Sequence, residues 1–307
     1  MSTKSLLRTT KFDSPSKIKA SFGSRLFDTT NILIMLVICV SIIFPLWDMI
    51  VTSFSRVQDV SSLSLNLWPP VIVADSYQFI FRNNEFLHAS FISVSRTIIG
   101  TAYHIFVVTI AAYCLTRMKM PFRKTITLIF VITMFFSGGL IPTYINIRNL
   151  NLLNKFAVYI LPGGFSMFNA IIMRNFFMSV NPSLEESATI DGASAMQVLF
   201  RIIIPLSMPV LATISLWQMV GQWNAWFDNL IYCTSPNLLT LQMLLRRIIV
   251  DPEFTDNILV IDESQINTNP ETIKAATTVL VTLPILFVYP FLQKYFVKGI
   301  MIGAVKG

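Results

Sequence analysis

Charge is scarce in this chain. Only 13% of its 307 residues are Asp, Glu, Lys or Arg, about half the share usual in a soluble domain. Hydrophobic residues make up 54% and mean hydropathy is +0.65, more apolar surface than a soluble fold of this size can hide. Histidine is nearly absent, with only His88 and His104. Neither has a credible nucleophile partner or metal-ligand spacing, which argues against a membrane enzyme. The three cysteines, Cys39, Cys114 and Cys233, fall at different depths or on opposite sides of the expected topology, so they read as structural thiols with no pair placed to bridge. A Gly-x-x-x-x-Gly-Lys-Ser/Thr phosphate loop is also missing, so any ATP chemistry belongs to a partner and no cofactor is expected in this chain.

What the chain has in quantity is long apolar runs. Six of them are uncharged or nearly so and long enough to cross a ~30 Å hydrocarbon core at ~1.5 Å per residue. They predict spans at about 29–54, 89–116, 125–147, 155–178, 203–231 and 274–296, an all-α membrane protein with six transmembrane helices. An even number puts both termini on one side. Residues 1–28 form a basic tail, 29–300 the six-span domain and 301–307 a short C-terminal tail. The tail is not a secretory signal, because the first apolar run starts only near Asn31 and no small-residue cleavage site follows it.

Sidedness follows from Lys and Arg flanking the spans. The N-terminal tail holds Lys4, Arg8, Lys11, Lys17, Lys19 and Arg25; the next loop on the same side holds Arg117, Lys119, Arg123 and Lys124. With Arg174, Arg201, Lys294, Lys298 and Lys306, fifteen of the 23 basic residues share that side, which is assigned to the cytoplasm. The net charge of +7 therefore reads as topology and contact with anionic lipid, with no reason to invoke nucleic acid.

One polar island, 181–205, interrupts the apolar pattern on that side. Ser183 with Glu186, and Ser194 with Gln197, have capping-box spacing. Gly192 lies between the two expected short helices, where a helix end needs positive φ, and Pro205 is expected to close the second. Glu186-Ser187-Ala188, three residues, Gly192, nine residues and Ile202-Ile203-Ile204-Pro205 resemble the "EAA" signature of permease subunits in binding-protein-dependent ABC importers. The family form has Ala in place of Ser187 and Leu in place of Ile204, both small changes. Ala111 to Arg117, Gly221-Gln222-Trp223-Asn224 and Asn181-Pro182 resemble carbohydrate importers of the maltose-type division. The C-terminal Tyr289-Pro290-Phe291-Leu292-Gln293-Lys294 run, with Gly303-Ala304-Val305-Lys306-Gly307, is similar to the LplC/YtcP-like subgroup, which is associated with large or complex oligosaccharides.

The resemblance implies a type I ABC importer permease fold with a cytoplasmic coupling helix in a prokaryotic plasma membrane. It also implies ATPase-coupling residues Glu185, Glu186, Ser187, Ala188, Asp191, Gly192 and Ala193. The partners implied are a second, similar permease, a dimer of ATP-binding subunits that carries ATP and Mg, an extracellular solute-binding protein and the oligosaccharide itself.

A sugar pathway needs aromatic faces for C–H surfaces and amides for hydroxyls. Span 5 offers Trp217, Gln218, Gln222, Trp223, Asn224 and Asp228, with Trp223 and Asn224 expected to face the cavity and Trp226 the outer boundary. The outer loop 234–272 carries an apolar helical stripe at Leu241, Leu244, Leu245 and Ile248, expected to be covered by the docked binding protein or the partner permease. His104 is expected to make an interhelical hydrogen bond. The rival reading, an ion-coupled secondary sugar carrier, predicts ionisable groups deep in the spans, and it has no use for the polar island.

Overall fold

The computed structural model describes residues 22–60, 67–118, 120–251, 254 and 268–304, with the side chains of 289 and 291–304 excepted. Among them every regular element is a helix. The chain divides into two compact units, Met1–Asp48 and Met49–Gly307. The first helix, α1 (Phe22–Ser53), runs through the boundary, and up to Asp48 nearly all its side chains are exposed, as expected of an apolar helix whose solvent is lipid.

The second unit is organised around α3 (Asn84–Thr116), 33 residues long and so about 50 Å from end to end. Its N-terminus is fixed by Asn83, whose side chain accepts the Glu85 amide at 2.8 Å. Arg96, Gly100, His104, Val108 and Ala112 recur at every fourth position and are all buried, because that face carries the neighbouring helices. Before it stands α2 (Asp75–Arg82). The pair α4 (Arg123–Phe135) and α5 (Leu140–Asn149) bends by 119° at Ser137-Gly138-Gly139, where Gly139 takes φ +85°.

Residues 155–178, expected as one crossing, contain a 3-10 turn at Phe156–Tyr159, an irregular Pro162-Gly163-Gly164 step and then α6 (Met167–Ser179). At 13 residues, α6 is about 20 Å long. His104 stitches the step together: its Nδ1 donates to the Gly163 carbonyl at 3.0 Å and its Nε2 accepts from Asn169 Nδ2 at 2.9 Å. One neutral tautomer satisfies both bonds, in keeping with the interhelical role expected for it.

After α7 (Pro182–Ile190) and α8 (Ala195–Val198) a five-residue π-turn, Leu199–Ile203, leads into α9 (Ile204–Leu206). The chain then bends by 82° into α10 (Met208–Asn224). Pro205 does not end the helix as expected. The wide turn carries the chain past it, with the Ile204 amide bonded five residues back to Leu199, and the break comes two residues later at Ser207. A π-turn beside a proline relieves the clash of its ring with the preceding turn.

Beyond α10 lie α11 (Phe227–Tyr232), α12 (Leu241–Val250) and α13 (Pro270–Ala304). The apolar stripe of α12 is covered by this chain itself. Leu241, Leu244 and Ile248 pack in one cluster with Phe79 and Ile80 of α2, Phe86 and Ala89 of α3, and Ile273 and Ala276 of α13. The expected external cover is therefore corrected. Burial of each such aliphatic side chain contributes about 2 kcal/mol, and α2 and the start of α13 already supply the surface. Residues 255–267 of the outer loop lie outside the described residues.

Three helices are long and apolar enough to cross a membrane, Phe22–Ser53, Asn84–Thr116 and Pro270–Val288; the two bent pairs pass the same test when each is taken together.

Candidate functional site

The polar island folds as two short helices around one glycine, with one change of cap. Asn181, and not Ser183, is the N-cap of α7: its Oδ1 accepts the Ser183 amide at 3.1 Å, and Pro182 fills the first helical position, where a missing N–H costs nothing. The spacing Ser183–Glu186 gave the right helix and the wrong cap, because Asn-Pro is the better start. The second box stands as expected: Gln197 Oε1 accepts the Ser194 amide at 2.7 Å while Ser194 Oγ accepts the Gln197 amide.

Between them the chain turns through a Schellman closure. The Ala193 amide bonds to the Ala188 carbonyl at 2.9 Å and the Gly192 amide to Thr189 at 3.1 Å, with Gly192 at φ +83°. That conformation is strained for any residue with a Cβ, so glycine is required here for geometry alone.

From Asn181 to Gln197 no residue of this segment is buried, whereas Val198, Leu199 and Ile203 beyond it enter the core. α7 has no buried residue; Glu186, Ser187, Asp191 and Gly192 are exposed, and Glu185, Ala188 and Ala193 half-buried. Leu184 and Met196 are exposed, and Ile190 is 86% exposed. The segment is tied to the bundle by an ion pair between Glu185 and Arg117, just past the end of α3. Arg117 also lies over the Tyr113 ring, 3.9 Å from its centroid, and Arg174 Nε donates to the Leu115 carbonyl at 3.0 Å. Between α7 and the ends of α3 and α6 opens a cavity of about 1030 Å³ lined by Arg117, Met178, Glu185, Glu186 and Ile190.

The opposite end of α10 holds most of the candidate pathway residues, and here the structure supplies a residue that the sequence reading passed over. Arg96 is 2% exposed. Its Nε and Nη2 donate to Gln222 Oε1 at 3.2 and 3.0 Å; Nη1 and Nη2 donate to the two Asp228 oxygens at 3.2 and 2.5 Å; Nη1 also donates to the Ala225 carbonyl at 3.3 Å. These five bonds match the five N–H donors of a guanidinium. The Tyr159 ring lies 4.3 Å from the Arg96 Cζ, and the Tyr159 carbonyl accepts from Gln222 Nε2 at 3.1 Å. Tyr159 Oη in turn donates to Leu238 O and accepts from Asn229.

Gln222 and Asp228 are thus committed to Arg96. Trp223 is buried in the cluster beneath α12, donates its indole N–H to the Val281 carbonyl at 2.9 Å and lines a small apolar cavity of about 80 Å³ with Leu216, Val220 and Pro284. Trp226 carries the Arg246 guanidinium 3.7 Å from its ring centroid. Asn224 is exposed and accepts from Gln242. Trp217 is 44% exposed and stacks on Phe168 at 6.3 Å, 30° between planes; Gln218 is half-buried one residue on. Among the described residues no group of three or more His, Cys, Asp or Glu is placed to hold a metal ion.

Comparison with known proteins gives concordant matches. The family model described as binding-protein-dependent transport system inner membrane component matches residues 18–302. The polygalacturonan/rhamnogalacturonan transport system permease protein YtcP of Bacillus subtilis (strain 168) is 38% identical, covering 92% of this chain and 99% of its own. Protein LplC of the same organism is 39% identical over 93% and 96%. Among solved structures, a chain of a bacterial ABC transporter involved in import of the acidic polysaccharide alginate superposes with a TM-score of 0.83 at 30% identity, covering 90% of this chain and 98% of that one. A chain of the alginate transporter in complex with an alginate pentasaccharide-bound periplasmic protein shares the fold at a TM-score of 0.53 and 16% identity.

Proposed function

The chain belongs to the family of binding-protein-dependent transport system inner membrane components, and from that premise we propose how its parts divide the work. It is a permease subunit of an ATP-driven importer. The ion-coupled carrier has no support: among the described residues the one deeply buried cation, Arg96, is neutralised within the chain, and the family is that of binding-protein-dependent transport components.

The cargo we assign is an oligosaccharide delivered by an extracellular binding protein, in line with YtcP being a polygalacturonan/rhamnogalacturonan transport permease. A second, similar permease completes the pathway, and an ATPase dimer supplies the energy with its own ATP and Mg. The reading places six crossings in a prokaryotic plasma membrane with both termini cytoplasmic. The segment 181–205 then lies inside the cell, α11 closes span 5 at its outer boundary, and α12 with the rest of the 234–272 loop lies outside.

The observation that carries the coupling role is a stretch, 181–197, that is rigid within itself yet uncovered. The Schellman turn and the Ser194–Gln197 box satisfy its own backbone, while Ile190 and Met196 stand exposed. A self-contained knob with apolar tips suits a cleft on another subunit. In the pathway, Trp217 with Phe168 forms an aromatic platform for sugar C–H faces, and Gln218 and Asn224 supply amides. Gly192→Pro or Glu186→Lys in the complete complex tests the coupling role: uptake should be lost while the chain remains in the membrane. Normal sugar-stimulated ATP hydrolysis in both variants would refute it. Mass spectrometry of glycan retained by the native complex tests the cargo.

A further inference from the structure

The helix that follows the coupling segment is broken twice, and the two breaks are built differently. At the inner break, Pro205 and Pro209 each remove a backbone donor, and the chain bends by 82°. The Ser207 amide is shared between the Ile203 and Ile204 carbonyls, both at 3.0 Å. Ser207 Oγ is fully buried and has no hydrogen-bond partner. At the outer break, between α10 and α11, the Ala225 carbonyl that α10 leaves free accepts from Arg96, and Asp228 in the first turn of α11 is gripped on both oxygens by the same guanidinium.

We propose that Arg96 is a positioning residue that makes the outer break of span 5 a fixed joint, so that motion arriving from the coupling segment is taken up at Ser207. This rests on the permease reading above. The physical reason is the cost of opening. Arg96 holds α3, the 156–159 turn, α10 and α11 at once, and any rotation of α11 away from α3 strips a guanidinium that is only 2% exposed of its carboxylate partner, leaving a buried charge unpaired. Bending at Ser207 breaks no such pair, since the donors that would resist it are already missing. Gly100 is part of the device: a Cβ there would lie 2.9 Å from Gln222 Nε2, inside the space Gln222 needs to reach Arg96.

The test is spin-label distance measurement on the complete importer in lipid nanodiscs, with Cys39, Cys114 and Cys233 replaced by alanine. One label pair, Phe91→Cys with Leu230→Cys, reports α3 against α11; a second, Phe200→Cys with Leu230→Cys, reports the inner helix against α11. All three sites are exposed. Adding MgATP with vanadate should move the first pair by no more than about 1–2 Å, the scale of ordinary helix adjustment, and the second by more. In Arg96→Met the first distribution should broaden and become nucleotide-dependent. Arg96→Lys should not restore it, because a three-donor point charge cannot replace the planar fork. Asp228→Asn, which keeps the shape, should broaden it less than Arg96→Met. A first pair that moves with nucleotide in the unmodified complex overturns the fixed joint, as does an Asp228→Asn distribution as narrow and nucleotide-insensitive as the parent. If nucleotide moves neither pair, the coupling reading itself falls and the fixed joint with it.

Discussion

Where α10 meets α11, one guanidinium makes five hydrogen bonds to three residues and lies over the Tyr159 ring, sealed from solvent and lipid alike. At the other end of the same stretch, α7 meets the bundle through an ion pair whose side chains are 36% and 27% exposed and through the half-buried Ala188 and Ala193, and most of its order comes from bonds within the segment. The same two charge types, Arg with a carboxylate, serve both ends. The carboxylates are alike, Asp228 at 25% and Glu185 at 27% exposed, and burial of the arginine is what separates the pairs, 2% for Arg96 against 36% for Arg117: an unpaired Arg96 has nowhere to go, whereas water takes the partner's place at Arg117. The outer end is therefore expected to be rigid and intolerant of change, and the inner end stable only locally and free to move with a partner.

The sharpest way to break this contrast is to remove one carboxylate at each end. Asp228→Ala leaves Arg96 buried and unpaired and is expected to destabilise the chain by about 3–5 kcal/mol, read as a lower melting temperature and lower abundance of the purified complex. Glu185→Ala should cost under ~1 kcal/mol by the same measurement, because Arg117 can turn to water. Equal losses would mean that burial is not what distinguishes the two pairs.

That asymmetry also explains what the sequence alone revealed. The coupling segment was legible because its signals are local: Gly192, the Ser194–Gln197 box and Asn181-Pro182 lie within 17 residues of one another. Even the mistaken cap at Ser183 erred by only two positions. The Arg96 joint is assembled from partners 126 and 132 residues away, and no local rule brings them together. Its one trace was the fourfold recurrence of Arg96, Gly100 and His104, a polar and small stripe that an apolar helix keeps only where another helix covers it. Trp223 shows the same limit: its indole N–H bonds to a backbone carbonyl 58 residues away across the core, a tie that no local spacing reveals. The α12 stripe was read correctly as needing cover, and the cover came from α2, α3 and α13, elements separated from it in sequence.

A gentler probe of the outer joint is Gly100→Ala. The added methyl would meet Gln222 Nε2 at 2.9 Å and Cδ at 3.0 Å, pushing the amide off both Arg96 and the Tyr159 carbonyl. A loss of about 1–3 kcal/mol is expected from such overpacking, again as a drop in melting temperature. An unchanged Gly100→Ala variant would show that Gln222 has slack and that Asp228 alone secures Arg96.

On the inner side, Gly192→Ala keeps the segment's chemistry and strains only its backbone, by about 1–2 kcal/mol for a Cβ at positive φ. The global melt should hardly change, because α7 has no buried residue to lose. Transport and the tie between binding-protein docking and ATP hydrolysis should fall instead. A Gly192→Ala variant that melts early but transports normally would reverse the assignment of a stable end and a moving end.

The smallest expected effect discriminates between two caps two residues apart. Asn181 Oδ1 accepts the Ser183 amide, so Asn181→Ala should remove about 1 kcal/mol of local stability from α7. Ser183→Ala should remove almost none, since the Ser183 side chain sits inside the first turn and makes no cap. Hydrogen exchange across 184–191 in the assembled complex is the measurement, because a local opening need not register in a global melt. Asn181→Ala should speed exchange about fivefold, the factor that 1 kcal/mol represents, with Ser183→Ala close to the parent. If Ser183→Ala gives the larger change, the helix starts where the capping-box spacing places it, and the coupling segment in the membrane is two residues shorter than the one described.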